Sequence, residues 1–259
     1  MTPCFLNLPV DVGIGWPRKE AIVTFGATKI FVFPPSQHHD ASLHIDLAYA
    51  RLTDVAARSL LNQFLSIAAW LDDTFAILLD GGSGNPVPCR PERQTISWPC
   101  SILDTWCNAW SPIKDENARR ALAIYREAIN MQHFHSLPYA VLGFYKILES
   151  AYPTDGRARG RKLEQHVADL LAGNMINKHE LQEIGFDLNS PPGQIASFLY
   201  SEGRQAVAHA NKVPTINPDD AGQQRRMSVA ASILQAASRS CITSQFRVGT
   251  DPWDQSNLL

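Results

Sequence analysis

In the stretch EGRQAVAHANK, from Glu202 to Lys212, an arginine and a histidine stand five residues apart, Arg204 and His209. Those two residue types suit cleavage of a phosphodiester without a metal. A histidine titrates near neutrality, so it can take the proton of a ribose 2′-hydroxyl or return one to the leaving oxygen. An arginine offers a fixed fork of donors that matches phosphate oxygens. Glu202 and Gln205 fall near His209 on a helix surface, and either could orient the imidazole. The same residues also have a plain structural account. An arginine and a histidine near a helix C-terminus are favourable against its dipole with no chemistry at all.

Helix geometry constrains the pair. Five residues advance about 500°, so on a straight helix the two side chains point about 140° apart. They meet at one phosphate only if the helix ends or bends between them, or if two subunits each present the motif at a shared cleft. Pro214 follows closely enough to end the helix. Gly203, with Leu199 and Ala206, marks a face where a neighbouring helix can come close.

Arg126 and Glu149 are charges beside apolar helix faces and are read as candidate binding residues lining the same cleft as Arg204. Their structural account is an ion pair between helices or a solvated rim. The basic run RARGRK, Arg157 to Lys162, reads as a solvated helix start that could touch RNA phosphates. His38, His39, Asp40 and His44 have the chemistry of metal ligands. A strand would put His38 and His39 on opposite faces, so they are read as surface loop polarity. His133 and His135 are read likewise, and no metal or other cofactor is expected. The GGSG of Gly81 to Gly84 lacks the Lys-Ser/Thr of a phosphate loop and is read as a flexible turn. No G-x-S-x-G elbow occurs.

The elements that must hold these residues change character along the chain. AIVTF and TKIFVF flank Gly26-Ala27, which predicts a hairpin from Ala21 to Phe33. SLHIDLAY alternates Leu43, Ile45 and Leu47 against His44, Asp46 and Ala48, the period of a half-buried strand. From Thr53, a good N-cap, Leu61, Phe64, Leu65, Ala68 and Leu71 recur at helical spacing. The segment AILLDGGSGNPVPCRPERQ reads as a short strand and then a loop, the best candidate boundary.

Beyond about Ser111, five helices are predicted. The first starts at Asp115 and Glu116 with the stripe Leu122, Tyr125, Ile129. The second, LPYAVLGFYKILESAYP, is apolar on nearly every side and should be central. The third closes at Gly173, the fourth runs through the R-x4-H string, and the fifth is capped by Asp219 or Asp220. The expected fold class is therefore α+β. A small β-rich part over residues 1–110 precedes an all-α bundle over 111–245 and a polar, frayed tail over 246–259.

With 259 residues, 45% hydrophobic and 19% charged, the composition is that of a globular chain with a real core. A net charge of -2 gives no global positive field for nucleic acid. The N-terminus lacks the pattern of a signal peptide, and the apolar run FAILL is too short to span a membrane. The five cysteines form no C-x-x-C pair, which fits reduced thiols in a cytoplasmic protein.

An R-x4-H string on a late helix of such a bundle resembles the HEPN superfamily, whose shared motif is R-x4-6-H. The resemblance covers roughly Glu116 to Ile242. It implies a HEPN-like bundle in which Arg204 stabilises phosphate and His209 is the acid/base. Many members are metal-independent endoribonucleases that work as dimers, and others only bind nucleotides or partners. Gln205 stands where active members often carry Asn, Asp or His, and Gln carries no charge. Across nearly the whole chain, the strings ALAIYREAIN, LPYAVLGFYKILE and GRQAVAHA resemble the methylamine utilisation proteins of the MauJ family. Two functions are thus expected. One is an accessory protein with a protein partner, serving amine metabolism. The other is a homodimeric endoribonuclease acting on RNA through Arg204 and His209.

Overall fold

A computed structural model describes residues 2–95, 97–104, 109–153, 156–187, 189–205, 207, 217 and 219–250. It divides into two compact units, one of residues 1–126 with 249–259 and one of Glu127–Val248. The division falls later than residue 110, inside a helix.

The first unit is built on a mostly antiparallel sheet. Strands β1 (Phe5–Val12), β3 (Ala21–Phe25), β4 (Thr28–Phe33) and β5 (Ala41–Asp46) form its body. In order across the sheet, β6 (Ala76–Leu78) is followed by β1, β5, β4, β3 and β9 (Ala109–Trp110), the last pair parallel. A separate parallel pair joins β2 (Trp16–Pro17) to β8 (Ile102–Leu103). The β3–β4 hairpin forms where the alternating runs predict it, and Gly26 takes a φ of 59° at its tip, where glycine has no Cβ to clash. Gly82–Asn85, read above as a flexible turn, is instead strand β7 on the edge of β1. A Cβ on Gly81 would lie 2.1 Å from the Asn7 carbonyl oxygen, so glycine is what lets that segment approach β1.

After the short helix α1 (Leu47–Ala50), α2 (Asp54–Asp72) starts as expected at Thr53, whose hydroxyl accepts from the Ala56 N–H at 3.2 Å. Its stripe of Leu61, Phe64, Leu65 and Ala68 is buried. Phe64 meets Phe25 edge-on and Trp110 at 4.9 Å, which seats α2 on the sheet face carrying Leu6, Leu8, Leu43 and Ile45. Each such buried side chain contributes about 1.5–3 kcal/mol relative to exposure.

The opposite sheet face is a correction to the sequence reading. β5 is buried on both sides rather than half-buried, and His44 is fully enclosed. The segment 86–95, expected to be a boundary loop, covers this face. Cys89 N–H donates to Asn7 Oδ1 at 2.8 Å, and Gln94 and Thr95 donate to the buried Asp40 carboxylate. No element pattern marks such a cover, because its bonds come from turns and side chains rather than a repeating period.

The helix α3 (Glu116–His133) starts with the Asp115 carboxylate accepting the Ala118 N–H at 2.7 Å and buries Leu122, Tyr125 and Ile129. Tyr125 bonds Asp73 at 2.5 Å and stands edge-on to Trp70, tying α3 to the end of α2 within the first unit.

The second unit is helical. It comprises the end of α3, then α4 (Leu137–Ala151), α5 (Gly156–Ala172), α6 (Lys178–Glu183), α7 (Pro192–Phe198) and α8 (Ala221–Gln245). α4 is central as expected and lies along α8, whose Ala230, Ala231 and Ala237 are buried. Ser238 Oγ donates to the Phe144 carbonyl at 3.0 Å across this contact. Asp220 caps α8 by accepting from the Gln223 N–H. The short α6 is an addition to the predicted five helices.

Val248 is buried, and the Gly249 carbonyl accepts from the Trp70 indole at 2.7 Å inside the first unit. Residues 251–259 lie outside the described residues. No helix among the described residues is long and apolar enough to cross a membrane. Cys4, Cys89, Cys100 and Cys241 are free thiols, and Cys107 lies outside the described residues.

Candidate functional site

The helical spacing of α4 puts Tyr145 and Glu149 one turn apart on one face. Two cations converge on the Glu149 carboxylate. Arg204 Nη2 donates to Oε1 at 3.2 Å and Arg159 Nη1 donates to the same oxygen at 3.3 Å. Arg159 sits in the first turns of α5 and also donates from Nε to the Tyr152 carbonyl, one of the open carbonyls at the end of α4. The three side chains are 19–28% exposed, so the group is half-buried with two positive charges against one negative. In such surroundings an ion pair is screened less than at the open surface.

Arg204 is placed by an unusual stretch of backbone. α7 ends at Phe198, and Leu199–Gln205 continues as a π-helical turn. A π-turn widens the helix and rotates every later residue away from its α-helical direction, and such turns recur at functional sites. Gly203 faces α4, where an added Cβ would lie 3.2 Å from Val141 Cγ1, so this is a place of close helix approach. Gln205 Nε2 donates to the Tyr200 hydroxyl at 3.0 Å, and the Tyr200 ring lies 6.2 Å from that of Tyr145. Burial pushes the Tyr145 hydroxyl up to about 12, while the nearby Arg159 charge opposes that rise. Tyr145 is therefore a neutral donor at physiological pH. The Arg204 Nε is buried with no hydrogen-bond partner among the described residues.

The sequence-predicted residues are distributed as follows. Glu149 and Arg204 come together. Arg126 belongs to the first unit, where its Nη1 donates to the Asn62 carbonyl at 3.1 Å. The backbone of Glu202 lies in the π-turn; its side chain, and all of His209, lie outside the described residues. Arg159 was not singled out by the sequence, because a run of four cations at a helix start reads as solvated. Its signal is positional. Arg159 and Leu163 are one turn apart, and Leu163 is buried, so Arg159 faces inward.

A second polar group in this unit is fully satisfied. Buried His166 bonds the Tyr152 hydroxyl at 3.0 Å through Nε2 and Ser240 Oγ at 3.2 Å through Nδ1. Burial lowers its pKa and raises that of Cys241, next to Tyr152, to about 12. A neutral imidazole with both nitrogens occupied and a thiol held protonated have no spare capacity for acid–base or nucleophilic work.

Two histidines of the first unit are held by hydrogen bonds. His44 Nδ1 bonds Asn7 Oδ1 at 2.8 Å and Nε2 bonds Ser42 Oγ at 2.9 Å, which overturns its reading as surface polarity. Burial, helped by the Arg90 charge, pushes His44 down to about 4. His39 bonds Ser36 in a turn. No group of three or more His, Cys, Asp or Glu side chains able to hold a metal occurs among the described residues.

Residues 121–243 match the family model described as Methylamine utilization protein MauJ. No curated protein and no solved structure matches the chain.

Proposed function

We propose that the protein is a cytoplasmic, non-catalytic accessory protein of methylamine utilisation, which works by binding a protein partner through its helical unit. The observation that carries this reading is the near coincidence of two boundaries. The stretch similar to MauJ runs over 121–243, and the compact helical unit runs over Glu127–Val248. The similarity therefore covers most of that unit. The state of Arg204 agrees with a binding role, since its guanidinium is already engaged by Glu149. The test is deletion of the coding gene in its host. Growth on methylamine as sole nitrogen source should slow or stop, with growth on ammonium intact. Unchanged growth on methylamine would overturn the proposal.

A second reading is favoured by one specific observation, the buried Arg204 Nε with no partner among the described residues, set in a π-helical turn. In this reading the unit is a HEPN-like bundle and a homodimeric endoribonuclease. Arg204 neutralises the phosphate of RNA and His209 moves the proton, with Glu202 or Gln205 orienting the ring. Wild type and His209→Ala would be incubated with mixed RNA in EDTA. Fragments ending in 2′,3′-cyclic phosphate from wild type alone would establish it. No cleavage by either folded protein would remove it and leave the accessory role.

A further inference from the structure

A cleft of about 230 Å³ opens between α2 and the first half of α3, wholly within the first unit. One wall carries Asn62 and Gln63, and the facing wall carries Arg119, Arg120 and Arg126. Arg119 and Arg126 are seven residues apart and so lie on one face of α3, and Arg120 stands beside Arg119, one position round the helix. Ile67, Ile113 and Leu122, all buried, supply an apolar floor.

The electrostatics of this cleft are unbalanced. Three arginines face it against the single carboxylate of Glu116. Glu116 reaches Arg120 at 3.5 Å with both side chains largely exposed, a contact of little strength. Arg119 has no carboxylate partner among the described residues. Arg119 and Arg120 also sit in the first turns of α3, at the positive end of its dipole, where a cation is disfavoured and an anion is favoured. Arg126 is anchored by its bond to the Asn62 carbonyl, which holds its fork at the cleft. The side-chain amides of Asn62 and Gln63 hydrogen-bond nothing among the described residues. Over this apolar floor the Arg119 guanidinium and the two side-chain amides thus have no hydrogen-bond or ion-pair partner among the described residues.

We propose that this cleft binds a small organic oxyanion, a carboxylate or phosphate monoester carried on a compact apolar body. The charged head would take the arginine side, where fixed guanidinium donors bond oxyanions strongly. The body would cover Ile67, Ile113 and Leu122. Benzoate and phenyl phosphate are suitable probes, with benzylamine as the cation of matching shape and inorganic phosphate as the head alone.

Calorimetric titration of the full chain should show binding of benzoate or phenyl phosphate, and whichever binds more tightly names the head group. Benzylamine should not bind. Arg119→Ala should weaken the anion roughly tenfold, the effect of losing one charge-assisted contact. That variant should keep a melting temperature close to wild type, since the Arg119 guanidinium makes no hydrogen bond or ion pair among the described residues. Benzylamine binding as well as benzoate would reduce the cleft to an apolar groove. Inorganic phosphate binding as tightly as phenyl phosphate would reduce it to surface charge. Either result, an unchanged affinity in Arg119→Ala, or no binding to the folded protein would overturn the proposal.

Discussion

Two polar groups, one in each unit, use similar chemistry to opposite ends. In the sheet, Asn7, Ser42 and His44 form a closed knot: every imidazole nitrogen has a partner, and Asn7 Oδ1 also accepts from the Cys89 N–H. Its members are buried and uncharged at neutrality. In the helical unit, one carboxylate holds two arginines at a half-buried place, and one guanidinium nitrogen stays unused among the described residues. A satisfied neutral group specifies a fold, because any change leaves a buried partner unpaired. A group with surplus charge and a spare donor keeps capacity for something outside itself. The presence of histidine or arginine is thus a poor guide to function, and the state of their valences is a better one.

The sharpest way to break this comparison is His44→Ala. If the knot is structural, the variant loses about 4 kcal/mol of stability from the cavity and the stranded polar partners. Urea unfolding would measure it, and a near-neutral result would mean that the sheet tolerates an open face. Acid gives the next largest effect. The unfolded chain protonates His44 near its ordinary value of 6.5, while the folded chain resists until about 4. Stability should therefore be complete above about pH 6.5 and fall as pH drops toward 4, by up to about 3 kcal/mol. The lowered pKa of His166 acts in the same direction. Urea midpoints across that range, flat in wild type, would contradict the buried neutral ring.

Glu149→Gln should have a smaller effect, about 1–2 kcal/mol, because it leaves two half-buried arginines facing each other but still partly solvated. Its distinguishing mark is recovery. Added sulfate should restore stability to Glu149→Gln more than to wild type, and equal responses would mean that the two cations do not act as a pair. Arg159→Lys should change stability least, by under about 0.5 kcal/mol, since a lysine keeps the charge near Glu149. A large loss would show that the bond to the Tyr152 carbonyl matters more than the ion pair.

The elements with a regular period were legible in the sequence. The β3–β4 hairpin, the Thr53 cap and stripe of α2, the start of α3 and the Asp220 cap of α8 all follow from spacing and capping chemistry. The second face of β5 was not legible. Alternation tells which residues share a side, and it cannot say whether a distant irregular segment returns to cover the polar side. Of the candidate site, the meeting of Glu149 with Arg204 could be suspected from charges beside apolar stripes. Arg159 was hidden inside a basic run, and its inward turn depends on the register of Leu163. The π-turn at Leu199–Gln205 has no sequence period of its own, so the direction of Arg204 had to come from the backbone.

The hydrogen bond from the Trp70 indole to the Gly249 carbonyl carries a consequence for how the protein is made. The donor is synthesised early and its acceptor arrives only after the whole helical unit has left the ribosome. The first unit is therefore a ring closed in time as well as in space. It can collapse around α2 while translation proceeds, but this contact waits for Gly249. A nascent chain halted just before Gly249 would lack this latch, whatever it had folded by then.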